Sequence, residues 1–288
     1  MNSVPDVAHC LGQLQRLGLP RLEAQMLLLK CLQQDPQDRA WLLIHDQQGV
    51  DSEQQEQMMS LAQRRLQGEP MAYLMGHKDF HALRLHIDAR VLDPRDDTET
   101  LVQWALHVGP HHAPLEVLDL GTGSGAIALA LAQARPRWQI SGSDASAPAL
   151  EVAQLNARQC GLHVNWVHGN WLQPFTGRTF DLMVSNPPYI AQNDPHLHAL
   201  RHEPRSALVS GSDGLDDIRV IVQDSRQHLK PGAWLLLEHG HNQAQAVCGL
   251  LAQAGFEQVS TRLDLAGVAR CSGGIWPHQQ SFASREII

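Results

Sequence analysis

The chain of 288 residues has little cysteine, no long apolar run and no excess of positive charge. Its five cysteines, Cys10, Cys31, Cys160, Cys248 and Cys271, are odd in number, widely spaced and without a C-x-x-C pair. That argues against a disulfide framework or a thiolate zinc site and fits a reducing, cytoplasmic compartment. No apolar stretch approaches the roughly 18–20 residues of a membrane span. Met1 to Cys10 carries Asp6 and no basic segment ahead of an apolar block, so a secretory signal is not expected. Lys and Arg number 22 against 30 Asp and Glu, a net charge of −8. Residues 1–90 carry −2 of it and the remainder −6, so neither part is a basic arm. A stand-alone nucleic-acid binder needs a basic footprint, so no direct nucleic-acid binding and no membrane partner are expected. The sequence also lacks an internal repeat, a low-complexity tract, a G-x-S-x-G elbow and any Cys/His pair at a recognisable nucleophile spacing.

What is present suffices for a large core. Hydrophobic residues make up 43% and charged residues 18%, and the length suggests about two domains. The composition changes near residue 90. Before it, Leu11, Leu14 and Leu17 recur at helical spacing with Gly18 as a stop. Leu22, Met26 and Leu29 form a second periodic set opened by Pro20. Ala40 to Ile44 is a further apolar run. Asp51 or Ser52 caps a helix expected through Met58, Leu61 and Leu66 to Gly68. Phe80 to Val91 alternates, with Leu83, Leu85 and Ile87 on one face, and reads as a hairpin-like connector.

The second part alternates strand and helix. Strands are expected at Glu116 to Leu120, Trp138 to Gly142, Val164 to His168, Phe180 to Ser185 and Ala233 to Leu237. Helices are expected at Ala126 to Ala134, Ala147 to Gln159 and Ile218 to Leu229. Such alternation implies a parallel sheet with helices on both faces, an α/β fold.

Asp119-Leu120-Gly121-Thr122-Gly123-Ser124-Gly125 joins the first strand of this part to its first helix. Glycines there permit a tight turn and close approach of a ligand to the backbone. Asp144 ends the next strand, where a carboxylate can accept hydrogen bonds from ribose hydroxyls. Gly121-x-Gly123-x-x-Ala126 also fits a dinucleotide loop, so the glycines alone leave the ligand open. Asp119 favours a ligand bearing an ammonium and a sulfonium over a pyrophosphate, as S-adenosylmethionine (SAM) does. The D-x-G-x-G-x-G arrangement resembles motif I of class I SAM-dependent methyltransferases. Asn186-Pro187-Pro188-Tyr189 follows the fourth strand, with two prolines stiffening the turn. The Asn186 side-chain oxygen and the Pro187 carbonyl can each accept one N–H of a planar amino group, with Tyr189 as a flat wall. This tetrapeptide resembles amino-methyltransferases acting on adenine, guanine or glutamine amides, and an adenine-directed nucleic-acid methyltransferase remains the alternative reading.

The rest of the chain narrows the acceptor. Gly68-Glu69-Pro70-Met71-Ala72-Tyr73-Leu74-Met75-Gly76 with Phe80, and Val91-Leu92-Asp93-Pro94-Arg95-Asp96-Asp97-Thr98-Glu99, resemble two signatures of the HemK/PrmC family. Glu203-Pro204, Asp213-Gly214-Leu215, Glu238-His239-Gly240 and Asp264-Leu265-Ala266-Gly267 match further landmarks. The resemblance runs from about Leu22 onward. It implies a class I, Rossmann-like catalytic domain with a seven-stranded, mostly parallel sheet over 96–288. It further implies a small N-terminal helical-bundle domain over 1–75 that docks the substrate, and a connector over 76–95. It implies methylation of the glutamine side-chain amide nitrogen (N5) in the Gly-Gly-Gln motif of peptide-chain release factors, with S-adenosyl-L-homocysteine as product. Gly121, Thr122, Gly123, Ser124, Gly125, Asp144, Trp171 and Asn186 would contact SAM, and Asn186, Pro187, Pro188 and Tyr189 would receive the glutamine. Trp171 follows Gly169-Asn170, where a flat ring could cover adenine or simply pack in the core. Asp93 and Asp96 depart from the family pattern, which has an aliphatic residue and a proline. Arg95 and Glu99 beside them either close the donor site or form a solvated charge cluster. His196, His198 and His202 lack a convincing completing ligand and read as a loop rather than a metal site.

Overall fold

Asp6 accepts a hydrogen bond from the His9 N–H at 2.7 Å and so starts the first helix, satisfying one of the free donors of its first turn. From there the computed structural model describes residues 4–278. The outer ends of the two expected domains, 1–3 and 279–288, lie outside the described residues. The chain divides into two compact units, 1–78 and 79–288.

The first unit holds α1 (Val7–Arg16), α2 (Arg21–Cys31), α3 (Arg39–Ile44), α4 (Ser52–Leu66) and α5 (Met71–Met75). Asp51 caps α4 in a reciprocal capping box with Gln54. Leu14, Leu29 and Met58 of the expected periodic sets are fully buried in its core beside Leu27 and Leu28, whereas Leu17, Leu22 and Leu66 are exposed. The Arg65 guanidinium grips the Glu23 carboxylate through two bonds, of 2.7 and 2.9 Å, joining α4 to α2.

The boundary between the units falls inside β1 (His77–Phe80), which forms a two-stranded sheet with β2 (Leu83–His86). The hairpin therefore begins earlier than the alternation suggests, while Leu83, Leu85 and Ile87 are buried as that alternation requires. His81 and Ala82 at its tip both adopt positive φ, 45° and 64°, a turn that ordinarily selects glycine or asparagine.

The second unit continues with α6 (Glu99–Val108), β3 (Glu116–Leu120), α7 (Ala126–Ala134), β4 (Gln139–Asp144), α8 (Ala147–Cys160), β5 (Asn165–His168), β6 (Phe180–Ser185), α9 (Asp216–Ser225), β7 (Leu229–Glu238), α10 (Ala244–Gln253), β8 (Glu257–Leu263) and β9 (Ala269–Ile275). The seven strands lie in the order β5-β4-β3-β6-β7-β9-β8. The first five are parallel, and β9 runs antiparallel to both of its neighbours. This is the mostly parallel sheet expected.

Several bounds differ: β4 runs two residues further than expected and β7 begins four residues earlier. The expected helix over Ile218 to Leu229 stops at Ser225, because Leu229 is already paired with Phe180 as the first residue of β7. A register shift between Phe180 and Leu182 lets β7 begin before Pro231-Gly232.

The order puts a switch point between β3 and β6: the chain leaves β3 toward β4 and β5, then returns to β6 on the other side. Ligand crevices in open α/β sheets form at such points, beyond the carboxyl ends of the strands. Here the two strand ends are tied together, the Ser185 hydroxyl donating to the Leu120 carbonyl at 2.7 Å.

Candidate active site

The glycine loop leaves β3 with Gly121, Gly123 and Gly125 all at positive φ, 68°, 55° and 82°. A side chain is disfavoured there, and at Gly121 a Cβ would also stand 3.1 Å from the Trp171 ring. Two carboxylates shape the loop. Asp144 accepts from the Gly123 N–H at 2.9 Å and from the Ser146 N–H at 2.8 Å. Burial is the main reason its pKa is raised. Asp119 accepts from the Thr122 hydroxyl at 2.6 Å and the Ala128 N–H at 3.3 Å. It is fully buried, and desolvation pushes its carboxyl up to about 7. The expectation that Asp119 meets a ligand's charge directly is therefore corrected: its carboxylate holds the loop from beneath and does not line the cavity.

Above the loop lies a cavity of about 330 Å3, within the size range of small-molecule sites. Gly121, Gly123, Asp144, Trp171 and Asn186 line it, together with Pro188. Of the other residues expected at SAM, Thr122, Ser124 and Gly125 are not among its lining residues. They support it instead. Thr122 holds Asp119, the Ser124 carbonyl accepts from the Asn156 side chain at 2.9 Å, and the Gly125 backbone leaves room for Trp166, whose ring would stand 2.9 Å from a Cβ there.

Trp171 takes a positive φ of 45°, strained for a bulky residue, and its indole N–H donates to Asp217 at 3.2 Å. The ring stands over Gly121 and faces the cavity rather than only the core. Asp217 itself lines the cavity and had no signal in the sequence beyond its place at the start of a helix.

Asn186 borders a second cavity of about 230 Å3, lined also by Leu92, Arg95, Tyr189 and Leu208. Asn186, Leu92 and Ala207 line both cavities, so Asn186 stands at their junction. Its side-chain N–H donates to the Thr98 hydroxyl at 3.2 Å, while its Oδ1 is buried without a hydrogen-bond partner among the described residues. An unmatched buried amide oxygen is costly unless something supplies a donor. Pro187 is buried and lines neither cavity.

The acidic segment before α6 is paired rather than solvated. Arg95 binds Glu203 at 2.5 Å and Asp93 at 3.5 Å, and Asp97 binds Arg270 at 3.0 Å. The Glu203 side chain is only 2% exposed. Arg95 thus straps this segment to the loop that carries Pro204, bordering the second cavity rather than the first. Glu99 does not reach either cavity. It accepts from the His81 N–H at 3.1 Å and supports the strained hairpin tip. His196 pairs with Asp194 in a short 3-10 turn. Among the described residues no group of three or more His, Cys, Asp or Glu is placed to hold a metal ion.

Thr98 and Glu238 lie within the quoted signatures but had no role assigned to them. Thr98 is 3% exposed and Glu238 1% exposed. Burial pushes the Glu238 carboxyl up to about 7, and its Oε2 is buried without a hydrogen-bond partner among the described residues.

Comparison with known proteins gives the family. Residues 98–214 match the methyltransferase small domain and residues 7–76 the PrmC N-terminal domain. The release factor glutamine methyltransferase of Coxiella burnetii is 44% identical over 252 residues, covering 87% of this chain and 90% of the relative. That of Xylella fastidiosa is 46% identical over 263 residues, covering 88% and 94%. Among solved structures, a methyltransferase from Pyrococcus furiosus superposes with a TM-score of 0.52 at 14% identity, over 68% of this chain and 90% of that one, a likeness of fold.

Proposed function

The chain belongs to the release factor glutamine methyltransferase family, and from that premise we propose that it methylates the side-chain amide nitrogen (N5) of the glutamine in the Gly-Gly-Gln motif of peptide-chain release factors, in the cytoplasm, using SAM. Among the described residues no helix is long and apolar enough to cross a membrane. The observation that carries the reading is Asn186, whose buried, unpartnered amide oxygen stands where the two cavities meet.

The first cavity suits SAM. Its floor is glycine backbone, its acid is Asp144, and its wall is the Trp171 ring. Asp144 is placed for the ribose hydroxyls while holding Gly123, and Trp171 for the adenine face. When bound, SAM supplies a methyl group on a positively charged sulfur and leaves as S-adenosyl-L-homocysteine.

The second cavity suits a glutamine side chain. Asn186 Oδ1 accepts one N–H of the glutamine amide, the Tyr189 ring lies against the amide plane, and Pro187, buried behind them, stiffens the turn that holds both. Held so, the nitrogen directs its electron density at the methyl group, and the Asn186 oxygen stabilises the positive charge that grows on nitrogen. The new bond is N–C, the broken bond is S–C, and one amide proton then leaves the nitrogen. No strong base is required when orientation provides much of the rate, roughly 7–11 kcal/mol in favourable cases. The helical first unit is the docking element for the release factor in this reading.

The test is incubation with labelled SAM and a release factor beside the same factor carrying Gln→Ala in Gly-Gly-Gln. Label on the intact factor alone is expected. Equal labelling of both would refute the assignment.

A further inference from the structure

Resting on the acceptor role given to Asn186 above, we propose that Gln243 is a positioning residue. It holds the Asn186 to Tyr189 turn at the depth that methyl transfer requires, through the backbone carbonyl of Tyr189.

Gln243 stands just before α10, in the turn that leaves β7. Its side chain runs back between two glycines. A Cβ on Gly240 would stand 3.0 Å from its Oε1, and a Cβ on Gly214 would stand 2.7 Å from its Nε2. The side chain therefore fills a slot that exists because both positions lack one.

Three bonds fix the amide in that slot. Its Oε1 accepts from the Gly240 N–H at 2.8 Å. Its Nε2 donates to the Tyr189 carbonyl at 3.0 Å and to the Asp213 carbonyl at 3.3 Å. An amide has its N–H donors on one side and its acceptor on the other. Turned over, it would set its oxygen against two carbonyls and its –NH2 against an N–H. One orientation alone satisfies every partner.

The Gly240 end is itself anchored. His239 is fully buried, and its Nδ1 faces the Gly240 carbonyl at 2.9 Å, so Nδ1 carries a proton. Burial is the main reason that the His239 pKa is lowered, which keeps the ring neutral. Its Nε2 then accepts from the Ser272 hydroxyl on β9, also at 2.9 Å. The sheet thus fixes the His239-Gly240 backbone, and that backbone aims Gln243.

The acceptor turn needs such an outside hold. Pro187 and Pro188 have no N–H to donate. Ile190 is tied next, its N–H donating to the Leu208 carbonyl at 2.8 Å. The Tyr189 carbonyl lies between the prolines and that tie. Asn186 and Tyr189 line the second cavity, whereas Gln243 lines neither that cavity nor the first. Gln243 therefore acts on the reacting amide only through the main chain of the turn. A displacement of about 1 Å at a reacting centre is enough to cost on the order of a hundredfold in rate.

The experiment measures kcat and KM for labelled methyl transfer to a release factor, with the SAM Kd by calorimetry and the melting temperature. It uses the wild type, Gln243→Met and Gln243→Glu across pH. Gln243→Met keeps the length and loses all three bonds. It should lower kcat roughly 10- to 100-fold and leave the SAM Kd within about twofold, because Gln243 does not line the cofactor cavity. The loss should fall on kcat rather than KM and be the same fraction of the wild-type rate at every pH.

Gln243→Glu carries the sharper signature. Ionised, its carboxylate has no proton for the Tyr189 carbonyl. Protonated, it regains one O–H donor and keeps an oxygen for Gly240. Its kcat relative to the wild type should match that of Gln243→Met at about pH 8 and rise roughly tenfold toward about pH 5. Taking the ratio to the wild type cancels the titrations both proteins share, among them those of Asp119, Glu238 and His239.

A Gln243→Met enzyme with wild-type kcat would overturn the proposal. So would a Gln243→Glu enzyme whose relative rate does not rise on acidification, or a SAM Kd that worsens as much as kcat falls, the mark of a merely structural role. Where Gln243→Met fails to fold, the pH dependence of Gln243→Glu decides alone. A wild type that binds SAM yet never labels the glutamine would overturn the function itself, and the role of Gln243 with it. A wild type that labels normally beside unaffected variants would overturn the role of Gln243 alone.

Discussion

Gly214 lies against the backbone carbonyl of Tyr189: a Cβ on Gly214 would stand 2.2 Å from that oxygen. The same carbonyl accepts a hydrogen bond from the Gln243 side chain at 3.0 Å. The Asn186 to Tyr189 segment is therefore held from behind by one residue with no side chain and another with a long one. Gly214 also sits at φ 80°, so a substitution is strained as well as crowded.

Gly214→Ala should displace the acceptor segment while sparing the cofactor cavity, since Gly214 does not line it. The expected result is a kcat lower by roughly tenfold or more, with SAM affinity changed far less. Turnover on a release factor alongside SAM calorimetry checks this. A parallel loss of both would show a collapsed site instead.

In the proposed reading, Asn186→Ala removes the oriented oxygen that accepts a hydrogen bond from the substrate amide. Such a contact is worth on the order of a hundredfold or more in kcat. The melting temperature should stay close to that of the wild type, because losing the Nδ2 bond to Thr98 at 3.2 Å is offset by removing a buried oxygen that has no partner among the described residues. Near-normal turnover would refute the assigned role.

Trp171→Ala should weaken SAM binding by roughly tenfold, in line with about 1–3 kcal/mol for an aromatic ring stacked on a base. The positive φ adds a second expectation. Trp171→Gly should bind SAM as poorly as the alanine variant but fold more stably by about 1 kcal/mol. Calorimetry for binding and thermal melts for stability separate the two effects.

Stability should depend on pH in a direction opposite to that of paired surface carboxylates. Asp119 has its folded pKa raised from 3.8 to about 7, so the folded state binds the extra proton in between. Its favourable contribution is complete below about 3.8 and is lost as pH rises through about 7. Glu238, raised from 4.5 to about 7, acts with the same sign. Asp119→Asn keeps an oxygen for Thr122 and Ala128 and removes the charge. Its melting temperature should exceed that of the wild type at pH 8, with the gap closing toward pH 5. A gap that widened on acidification would contradict the assignment.

The parts of the fold carried by local pattern were legible in the sequence. The bounds of β3, α7 and β6 follow from apolar runs bounded by glycines, by Arg135-Pro136 or by Asn186-Pro187. The far side of the sheet was reached only through family resemblance. β8 is an edge strand of mixed polar residues, Glu257 to Leu263, with no clean alternation. β9 contains Gly273-Gly274, which reads as a turn. Gly273 is nonetheless required in the strand, since a Cβ there would stand 2.6 Å from the Leu235 carbonyl. At the site, glycines, Asp144, Trp171 and Asn186 were readable because they sit in contiguous motifs. The bond from Asn186 to Thr98 was not, because a contact between buried side chains on distant segments leaves no periodicity to read. Asp119 was assigned to the right loop with the wrong orientation, since sequence spacing does not say which way a carboxylate faces.

The position of β9 between β7 and β8 bears on synthesis as well as on catalysis. A nascent chain emerging from the ribosome can pair β5, β4, β3, β6 and β7 in parallel before β9 exists. Until Ala269 to Ile275 has emerged, β7 keeps an open edge, a ready template for pairing with another chain. The segment before α6 then also lacks the ion pair from Arg270 to Asp97. A growing chain halted before Ala269 would expose a sticky edge and leave that segment without one of its straps.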